Sequence, residues 1–146
     1  MAELKYKKYI IEDYIPSNDA ASRSANDPEK STRLSQIVRL GDDIIKGAAH
    51  VGFVWALKTS VQEQELAAHT HDYNEILGWL GTDWNNPRDL GGEIEFWLED
   101  EKYILTHSCV IFIPKGMKHC PLKDLRIDRP FIHFGVMTEG NYSPAG

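Results

Sequence analysis

Alternating apolar and polar residues predict a chain built almost entirely of short β-strands. Residues 50–57 place four apolar side chains on one face, namely Val51, Phe53, Trp55 and Leu57. Residues 93–98 alternate in the same way, as half-buried strands do. Gly and Pro separate the apolar runs, and helical periodicity is scarce. The pattern predicts about nine to eleven strands in an all-β antiparallel barrel or jelly roll.

Other stretches also have strand character: Tyr6–Ile15, Gln36–Leu40, the residues leading into His69, Glu75–Leu80, Tyr103–Thr106, Cys109–Ile113 and Phe131–Met137. The first of these either completes a sheet edge in its own chain or crosses to a partner subunit. Because Cys109–Ile113 is almost wholly apolar, we expect that strand to be buried on both faces. Pro121 follows His119 by two residues and predicts an early interruption of the strand that carries His119.

Three connections stand out between the predicted strands. Ser17–Ser35 is polar, and Asp27 is suited to cap a short helix, so we expect either a lid or an ordinary surface loop. Gly81–Gly92 is turn-rich and longer than a usual hairpin loop, which predicts an insertion at a strand end. Its Trp84 is an anchor for a barrel mouth or an interface, unless the loop is simply exposed. Val61–Glu65 reads as a polar link.

A histidine pair near the middle of the chain is the strongest chemical signal. His69 and His71 are two residues apart, so an extended strand directs both imidazoles to one face. Glu75 has the same parity but lies roughly 13 Å beyond His71 on an extended chain, too far to share an ion. Asp and Asn, which favour turns, occupy the positions between them. We therefore predict a tight turn at 72–74 that brings Glu75 back towards the histidines.

His119 is the fourth candidate ligand. It follows Pro114 and Gly116, which signal a turn after the apolar run 110–113, and it stands where a new strand would begin. Three neutral imidazoles and one carboxylate suit one borderline divalent transition metal such as Zn, Fe, Mn, Ni or Cu. The alternative is that each histidine is separately structural. The combined spacing favours metal binding.

These two motifs resemble those of the cupin superfamily. The first superfamily motif is His-x-His-x3-4-Glu-x6-Gly, and the second is Gly-x5-Pro-x-Gly-x2-His-x3-Asn. The resemblance covers about residues 45–137 and implies four metal ligands: His69, His71, Glu75 and His119. The chain departs from the motifs at three positions that are not ligands. Gly81 falls one residue early, Ser108 replaces a glycine, and Lys123 replaces the asparagine.

The resemblance also implies the domain organisation. We expect a small RmlC-like jelly-roll barrel, the double-stranded β-helix, as a single cupin domain over residues 45–138. An N-terminal strand and polar loop over residues 1–44 would pack on this barrel, and residues 139–146 would form a C-terminal tail. No internal repeat is present, so we expect one cupin unit.

Several functions are compatible with such a site. Four protein ligands leave positions for water or substrate on a five- or six-coordinate metal, which favours a catalytic centre over a closed structural one. The first hypothesis is a metal-dependent enzyme acting on a small polar metabolite by oxygenase, isomerase or lyase chemistry, which the motifs do not distinguish. The alternative is a non-catalytic module that binds metal and a small ligand. In a third reading, the metal only stabilises the fold.

Other side chains are candidates for the surroundings of the metal. Ligating imidazoles are usually oriented by neighbouring polar groups, and here the candidates are Asp72, Tyr73, His107 and His133. We name His133 and Tyr73 as candidate catalytic residues; the alternative for each is a packing role. Alternation predicts that Leu77 and Trp79 lie inside the barrel beside the metal, and that Cys120 points away from the interior.

Composition narrows the class of protein. Sixteen Lys and Arg against 22 Asp and Glu give a net charge of −6, which argues against a nucleic-acid binder. Two cysteines, Cys109 and Cys120, do not form a disulfide framework, so we expect buried reduced thiols. The lysine-rich start lacks a continuous apolar core, and no stretch approaches a membrane span. We expect a cytoplasmic protein, with no membrane partner, that forms a two-fold homodimer.

Overall fold

The computed structural model describes residues 4–16, 33–60 and 67–138. These residues contain one short 3-10 helix, Lys7–Tyr9, and eight strands. The strands are β1 (Leu34–Leu40), β2 (His50–Ala56), β3 (Glu75–Leu80), β4 (Asp89–Leu98), β5 (Glu101–His107), β6 (Cys109–Ile113), β7 (His119–Ile127) and β8 (Phe131–Met137). The predicted loop around Asp27, the link at 61–65 and the tail at 139–146 lie outside the described residues.

The eight strands form two antiparallel sheets. One has five strands in the order β1-β2-β8-β3-β6, and the other has three in the order β5-β4-β7. Side chains from both sheets meet in a common core, where the rings of Trp79 and Phe96 lie 5.7 Å apart, edge to face. Burying such aromatic side chains is a large part of what holds two facing sheets together. This architecture confirms the predicted all-β jelly roll.

Strand alternation divides the five-stranded sheet into an inner and an outer face. On β3, the side chains of Glu75, Leu77 and Trp79 are 3%, 7% and 1% exposed, so all three point inwards as predicted. Their partners on β8 are Met137, Gly135 and His133. Because directly paired residues of antiparallel strands share a face, these β8 residues line the interior too.

The predicted N-terminal strand is wrong. Residues 4–16 contain only the 3-10 turn, and their apolar side chains are largely exposed. Side chains of β1, and not its backbone, bind backbone carbonyls of this segment. Arg39 donates to the carbonyls of Ile15 and Pro16 at 2.8 and 2.9 Å, and Gln36 donates to Ile15 at 2.9 Å. This short segment therefore attaches to the sheet through side chains.

A buried arginine anchors that attachment. Arg39 is 5% exposed and also binds the Asp43 carboxylate through two hydrogen bonds of 3.0 and 2.6 Å. These contacts hold the pKa of Asp43 below its ordinary value, although partial burial opposes the shift. β1 itself pairs with β2 and lies upstream of residue 45, so the five-stranded sheet begins before the predicted start of the barrel.

Strand β6 also differs from expectation. It lies at the edge of the five-stranded sheet and pairs only with β3 among the described residues. Its inward side chains are covered, but Val110 and Phe112 are 63% and 58% exposed. The prediction of a strand buried on both faces is therefore wrong. A continuous apolar run indicates two apolar faces, and it does not reveal whether anything covers the second one.

Two details around β7 and β4 also depart from the sequence-based expectations. Pro121 lies within β7, which continues to Ile127, but the pairing of β7 with β4 shifts register between His119 and Leu122. The backbone of Cys120 has a positive φ of 75°, which breaks the alternation, and the residue is 2% exposed inside the hydrophobic core. Burial raises the pKa of its thiol to about 12, so Cys120 is an inert core thiol. The predicted 81–92 insertion is shorter, because β4 already begins at Asp89.

Gly81 provides a test of how closely the β3–β4 connection packs. A Cβ atom placed on Gly81 would lie 1.9 Å from the Asp89 carbonyl oxygen, which belongs to the backbone and cannot rotate away. We expect Gly81→Ala to lower the free energy of unfolding by about 1–3 kcal/mol or more. Gly52→Ala is the matched control, since its nearest neighbour would be 3.7 Å away. Equal urea midpoints for the two variants would contradict this packing.

Candidate metal centre

The four predicted ligands converge at one end of the barrel interior. Ligand atoms of His69, His71 and His119 all lie within 4.8 Å of one another. Glu75 joins them, because its Oε2 lies 3.1 Å from His71 Nε2 and 3.5 Å from His119 Nε2. Glu75 and His119 are 3% and 1% exposed. The structure thus brings together side chains from both sequence motifs.

Backbone hydrogen bonds hold the two motifs against each other. The N–H of His69 donates to the carbonyl of His119, and the N–H of His119 donates to the carbonyl of His69, both at 3.0 Å. The N–H of Gly116 donates to the carbonyl of His71 at 2.9 Å. Gly116 has a φ of +84°, a left-handed conformation that glycine adopts without strain. The Pro-x-Gly turn therefore positions His119 beside the His-x-His pair.

Asn74 is a residue whose role the sequence reasoning missed. It was expected only to occupy the turn before Glu75. In the structure its side-chain oxygen accepts a hydrogen bond from the N–H of Lys115 at 2.9 Å, and its carbonyl accepts one from Thr138 at 3.3 Å. Asn74 thereby links the first turn to the second. A turn asparagine next to a ligand was the available signal, but its partner 41 residues away was not readable from the sequence.

Hydrogen bonds determine which ring nitrogen carries the proton in two of the candidate ligands. His69 Nδ1 lies 2.6 Å from the carbonyl of Ala67, and His119 Nδ1 lies 3.0 Å from the carbonyl of Met117. A carbonyl oxygen only accepts, so each Nδ1 must carry the proton that it donates. In the neutral ring, Nε2 then keeps its lone pair for a metal. This arrangement is common for histidine ligands, whose other nitrogen usually donates to a carbonyl or carboxylate.

The donor set attracts positive charge. Among the described residues, Glu75 Oε2 and His119 Nε2 are buried with no hydrogen-bond partner. Burial lowers the pKa of His69, with the Ala67 carbonyl opposing the shift. For His119, burial also disfavours the charged form, but the Glu75 carboxylate and the Met117 carbonyl outweigh it and raise the pKa. A buried carboxylate facing imidazole lone pairs fits a divalent cation.

Tyr73 packs directly against this cluster. Its ring stacks on that of His71, with centroids 4.8 Å apart and an angle of 11° between the planes, and it is 8% exposed. The neighbouring Asp72 instead points to the surface, where its carboxylate lies 3.2 Å from Lys115 Nζ. Such an exposed pair contributes little to stability. Of these two turn residues, the structure places only Tyr73 against a ligand ring.

His133 lines the barrel interior but pairs with Trp79, not with Glu75. Trp79 is four residues from Glu75 along β3, roughly 13 Å of extended chain. The His133 ring stacks on Trp79 at 4.7 Å, and its Nδ1–H donates to the Gly78 carbonyl at 2.9 Å. Burial lowers the pKa of His133 to about 4. His107 is exposed on β5, beside Thr106. The structure brings neither histidine into the ligand cluster.

A second buried polar group joins the two sheets. Arg33 donates to the Asp124 carboxylate at 2.8 Å, and the N–H of Asp124 donates to Ser60 Oγ at 2.9 Å. Burial raises the pKa of Asp124, and the Arg33 guanidinium works against that shift. The pair ties β7 to the residue before β1. This pair was not predictable from local sequence patterns, because its partners are 91 residues apart.

Comparisons with known proteins bear on the fold. No family model matches the chain, and no curated protein matches its sequence. A solved Klebsiella pneumoniae protein with a double-stranded β-helix domain is 20% identical, with a TM-score of 0.50 over 79% of this chain and 80% of that one. A cupin superfamily protein from Desulfitobacterium hafniense is 12% identical, with a TM-score of 0.49 over 88% of this chain and 93% of that one.

The cupin domain of Schizosaccharomyces pombe Cnp3 is 13% identical, with a TM-score of 0.49, and the match covers 74% of this chain and 61% of that domain. The strand order and the Klebsiella likeness together define the class: the chain has the double-stranded β-helix fold of cupins. This is the fold that the resemblance of the two motifs to the cupin superfamily implies. No helix within the described residues is long and apolar enough to cross a membrane.

The low pKa of His133 predicts a dependence of stability on pH. The ordinary pKa is 6.5 and the folded-state value is about 4, so the unfolded chain binds more protons between these two values. Stability should therefore be complete above about pH 6.5 and fall by on the order of 2–3 kcal/mol towards pH 4.

The variant His133→Asn keeps a donor for the Gly78 carbonyl but cannot titrate. We expect its stability to fall less than that of the wild type between about pH 7 and pH 4.5, as measured by urea unfolding. If both proteins lost the same free energy of unfolding across this range, His133 would not be the buried neutral imidazole described.

Proposed function

We propose that His69, His71, Glu75 and His119 bind one divalent transition metal, and that the protein is a metal-dependent enzyme acting on a small polar metabolite. One observation supports this most strongly. Glu75 Oε2 and His119 Nε2 lie 3.5 Å apart, buried, with no hydrogen-bond partner among the described residues. Leaving such groups unsatisfied costs about 1–3 kcal/mol each, and a cation would satisfy both.

The chain's own residues would orient the ligands before any metal arrives. Carbonyls of Ala67 and Met117 fix the tautomers of two imidazoles, and the stacked Tyr73 ring limits rotation of His71. A bound Fe, Mn, Ni or Zn ion with four protein ligands supplies a Lewis acid with open positions for substrate oxygen atoms. The residues present are compatible with oxygenase, isomerase or lyase chemistry and do not distinguish among them.

The surroundings of the cluster favour a small ligand. Leu77, Ile113 and Met137 are 7%, 1% and 7% exposed and share the inner sheet face with Glu75. Apolar walls exclude water and so strengthen the electrostatic interactions of a polar group held there. The net charge of −6 disfavours nucleic acid as a partner. We also retain the homodimer as a proposal about assembly, independent of the metal.

The alternative is a module that binds a metal and a small ligand without turning it over. A thermal-shift screen of the metal-loaded protein against small keto acids, hydroxy acids and sugars would identify ligands, because native-state binding raises the melting temperature. Product analysis after incubation with each ligand then separates the two functions. A compound that binds and is converted supports the enzyme, and ligands that are recovered unchanged support the module.

Removing a ligand should remove the metal. We expect His119→Ala and Glu75→Gln to reduce metal content, measured by elemental analysis after purification, from about one ion per chain to less than about 0.2. The control is His107→Ala, which deletes an exposed histidine outside the cluster and should keep full occupancy. Full metal content in both ligand variants would contradict the proposed donor set.

Two substitutions of Tyr73 distinguish a role in positioning His71 from a role of the hydroxyl in the reaction. If stacking on His71 is its contribution, Tyr73→Phe should retain metal affinity, and Tyr73→Ala should weaken it about tenfold or more. Competition with a chromogenic chelator measures both affinities. A loss of turnover in Tyr73→Phe at full metal occupancy would instead assign the hydroxyl to the reaction. Equal affinities of the Ala variant and the wild type would rule out the positioning role.

A further inference from the structure

The guanidinium of Arg33 has one edge that its protein contacts do not use. Arg33 precedes β1, and its side chain is 14% exposed. Within the described residues, its hydrogen bonds to Asp124 and Ser60, at 2.8 and 3.5 Å, both come from Nη1. Its Nε is buried with no hydrogen-bond partner among the same residues. Because an unpaired buried donor is unfavourable, this edge is suited to an acceptor that a ligand supplies.

The unused edge has the geometry that a carboxylate requires. In a guanidinium, the N–H groups of Nε and Nη2 lie side by side and match the two oxygens of a carboxylate. Asp124 holds Nη1 on the other side, and the carbonyl of Arg33 accepts a hydrogen bond from the N–H of Leu57 at 2.8 Å. The N–H of Ser60 donates to the Asp124 carbonyl at 2.9 Å. The guanidinium is therefore oriented before a ligand arrives, which lowers the entropic cost of binding.

Arg33 lies at the opposite end of the barrel interior from the ligand cluster. Asp124 follows His119 by five residues along β7, roughly 16 Å of extended chain. Asp124 is 5% exposed and pairs with the fully buried Ile94 of β4, so it faces the interior. Burial is the main cause of the lowered pKa of His133, which the Glu75 carboxylate opposes and the Arg33 charge reinforces. Since only nearby charges act in this way, His133 lies between the two ends.

The inner face of the five-stranded sheet is open between these two ends. Between Met137 and His133, the inward position on β8 is Gly135, which pairs with Gly52 of β2. A Cβ atom on Gly52 would meet nothing closer than 3.7 Å. His133 and its partner Val54 face inwards, yet both are only half-buried. A ring that is deeply surrounded by protein and still partly accessible lines an enclosed space, which is the setting of many small-molecule sites.

We propose that the Nε–Nη2 edge of Arg33 binds a carboxylate group of a small molecule whose other end reaches towards the ligand cluster. The inference deepens the proposed function and rests on it for the metal-bound end. It narrows the substrate class to an elongated carboxylic acid with a second oxygen-bearing group. A carboxylate fits better than a phosphate, because Asp124 beside Arg33 repels a second negative charge. Asp124 acts as a positioning residue through Nη1.

Straight-chain dicarboxylates from malonate to suberate test this assignment by isothermal titration calorimetry. We expect the Zn-loaded wild type to bind longer members more tightly than malonate, because the two ends of the interior are far apart. Arg33→Lys keeps a positive charge beside Asp124 but loses the paired N–H groups. The dissociation constant of the tightest diacid should therefore rise about tenfold or more in this variant.

Control variants separate carboxylate binding from a structural role of the ion pair. Arg129→Lys changes a more exposed arginine that also pairs with an aspartate, Asp89, and it should leave the affinity unchanged. Arg33→Met/Asp124→Leu removes both buried charges together, which often preserves a fold, and it should weaken binding about tenfold or more as well. Unchanged affinity in the folded Arg33 variants, or no binding of any diacid to the wild type, would overturn the proposal.

The same titrations distinguish this proposal from the proposed metal site. In His119→Ala, which should lose the metal, diacids should bind more weakly, and adding Arg33→Lys should weaken binding further. Zn content is measured on every sample. Binding that depends on Arg33 in a protein that never holds Zn would support the carboxylate site and contradict the metal site. Full Zn content with binding that is independent of Arg33 would do the reverse.

Discussion

Two backbone hydrogen bonds between His69 and His119 are the constraint on which the candidate site depends. They join the start of the first motif to the histidine near the end of the second, and Gly116 and Asn74 add further links between the two turns. In the resulting arrangement His71, Glu75 and His119 are buried, and His69 is half-buried. A fold that buries two imidazoles and a carboxylate beside a third imidazole incurs a desolvation cost, and a bound cation is the simplest way to offset it.

The two faces of the five-stranded sheet carry different kinds of side chain. The inner face of β3 carries Glu75 to the ligands, and the outer face of the same strand contributes Ile76, Gly78 and Leu80 to an apolar layer. Because side chains of a strand alternate between its two faces, the six residues of β3 contribute to both faces of the sheet. A slip in the register of β3 would therefore move Glu75 away from the histidines and turn apolar side chains to the opposite face of the sheet.

Much of the fold and the convergence of the four candidate ligands were predictable, for identifiable reasons. Local alternation and turn residues marked β2, β3 and β8, and motif spacing marked the four residues that come together. The errors arise where the outcome depends on distant partners. The sequence could not show that Arg39 would take the carbonyls of Ile15 and Pro16, or that β6 would be an edge strand. His133 alternates inwards as predicted, but only the β3–β8 register places it opposite Trp79.

The central claim is that four named side chains hold one metal ion, and crystallography with anomalous scattering tests it most directly. Crystals of protein purified without chelator and soaked in a divalent transition metal should give a single strong anomalous peak inside the barrel. Its distances to the nitrogens of His69, His71 and His119 and to Glu75 Oε2 should each be about 2.0–2.2 Å. A peak elsewhere on the chain, or none at the meeting point of these four residues, would contradict the account.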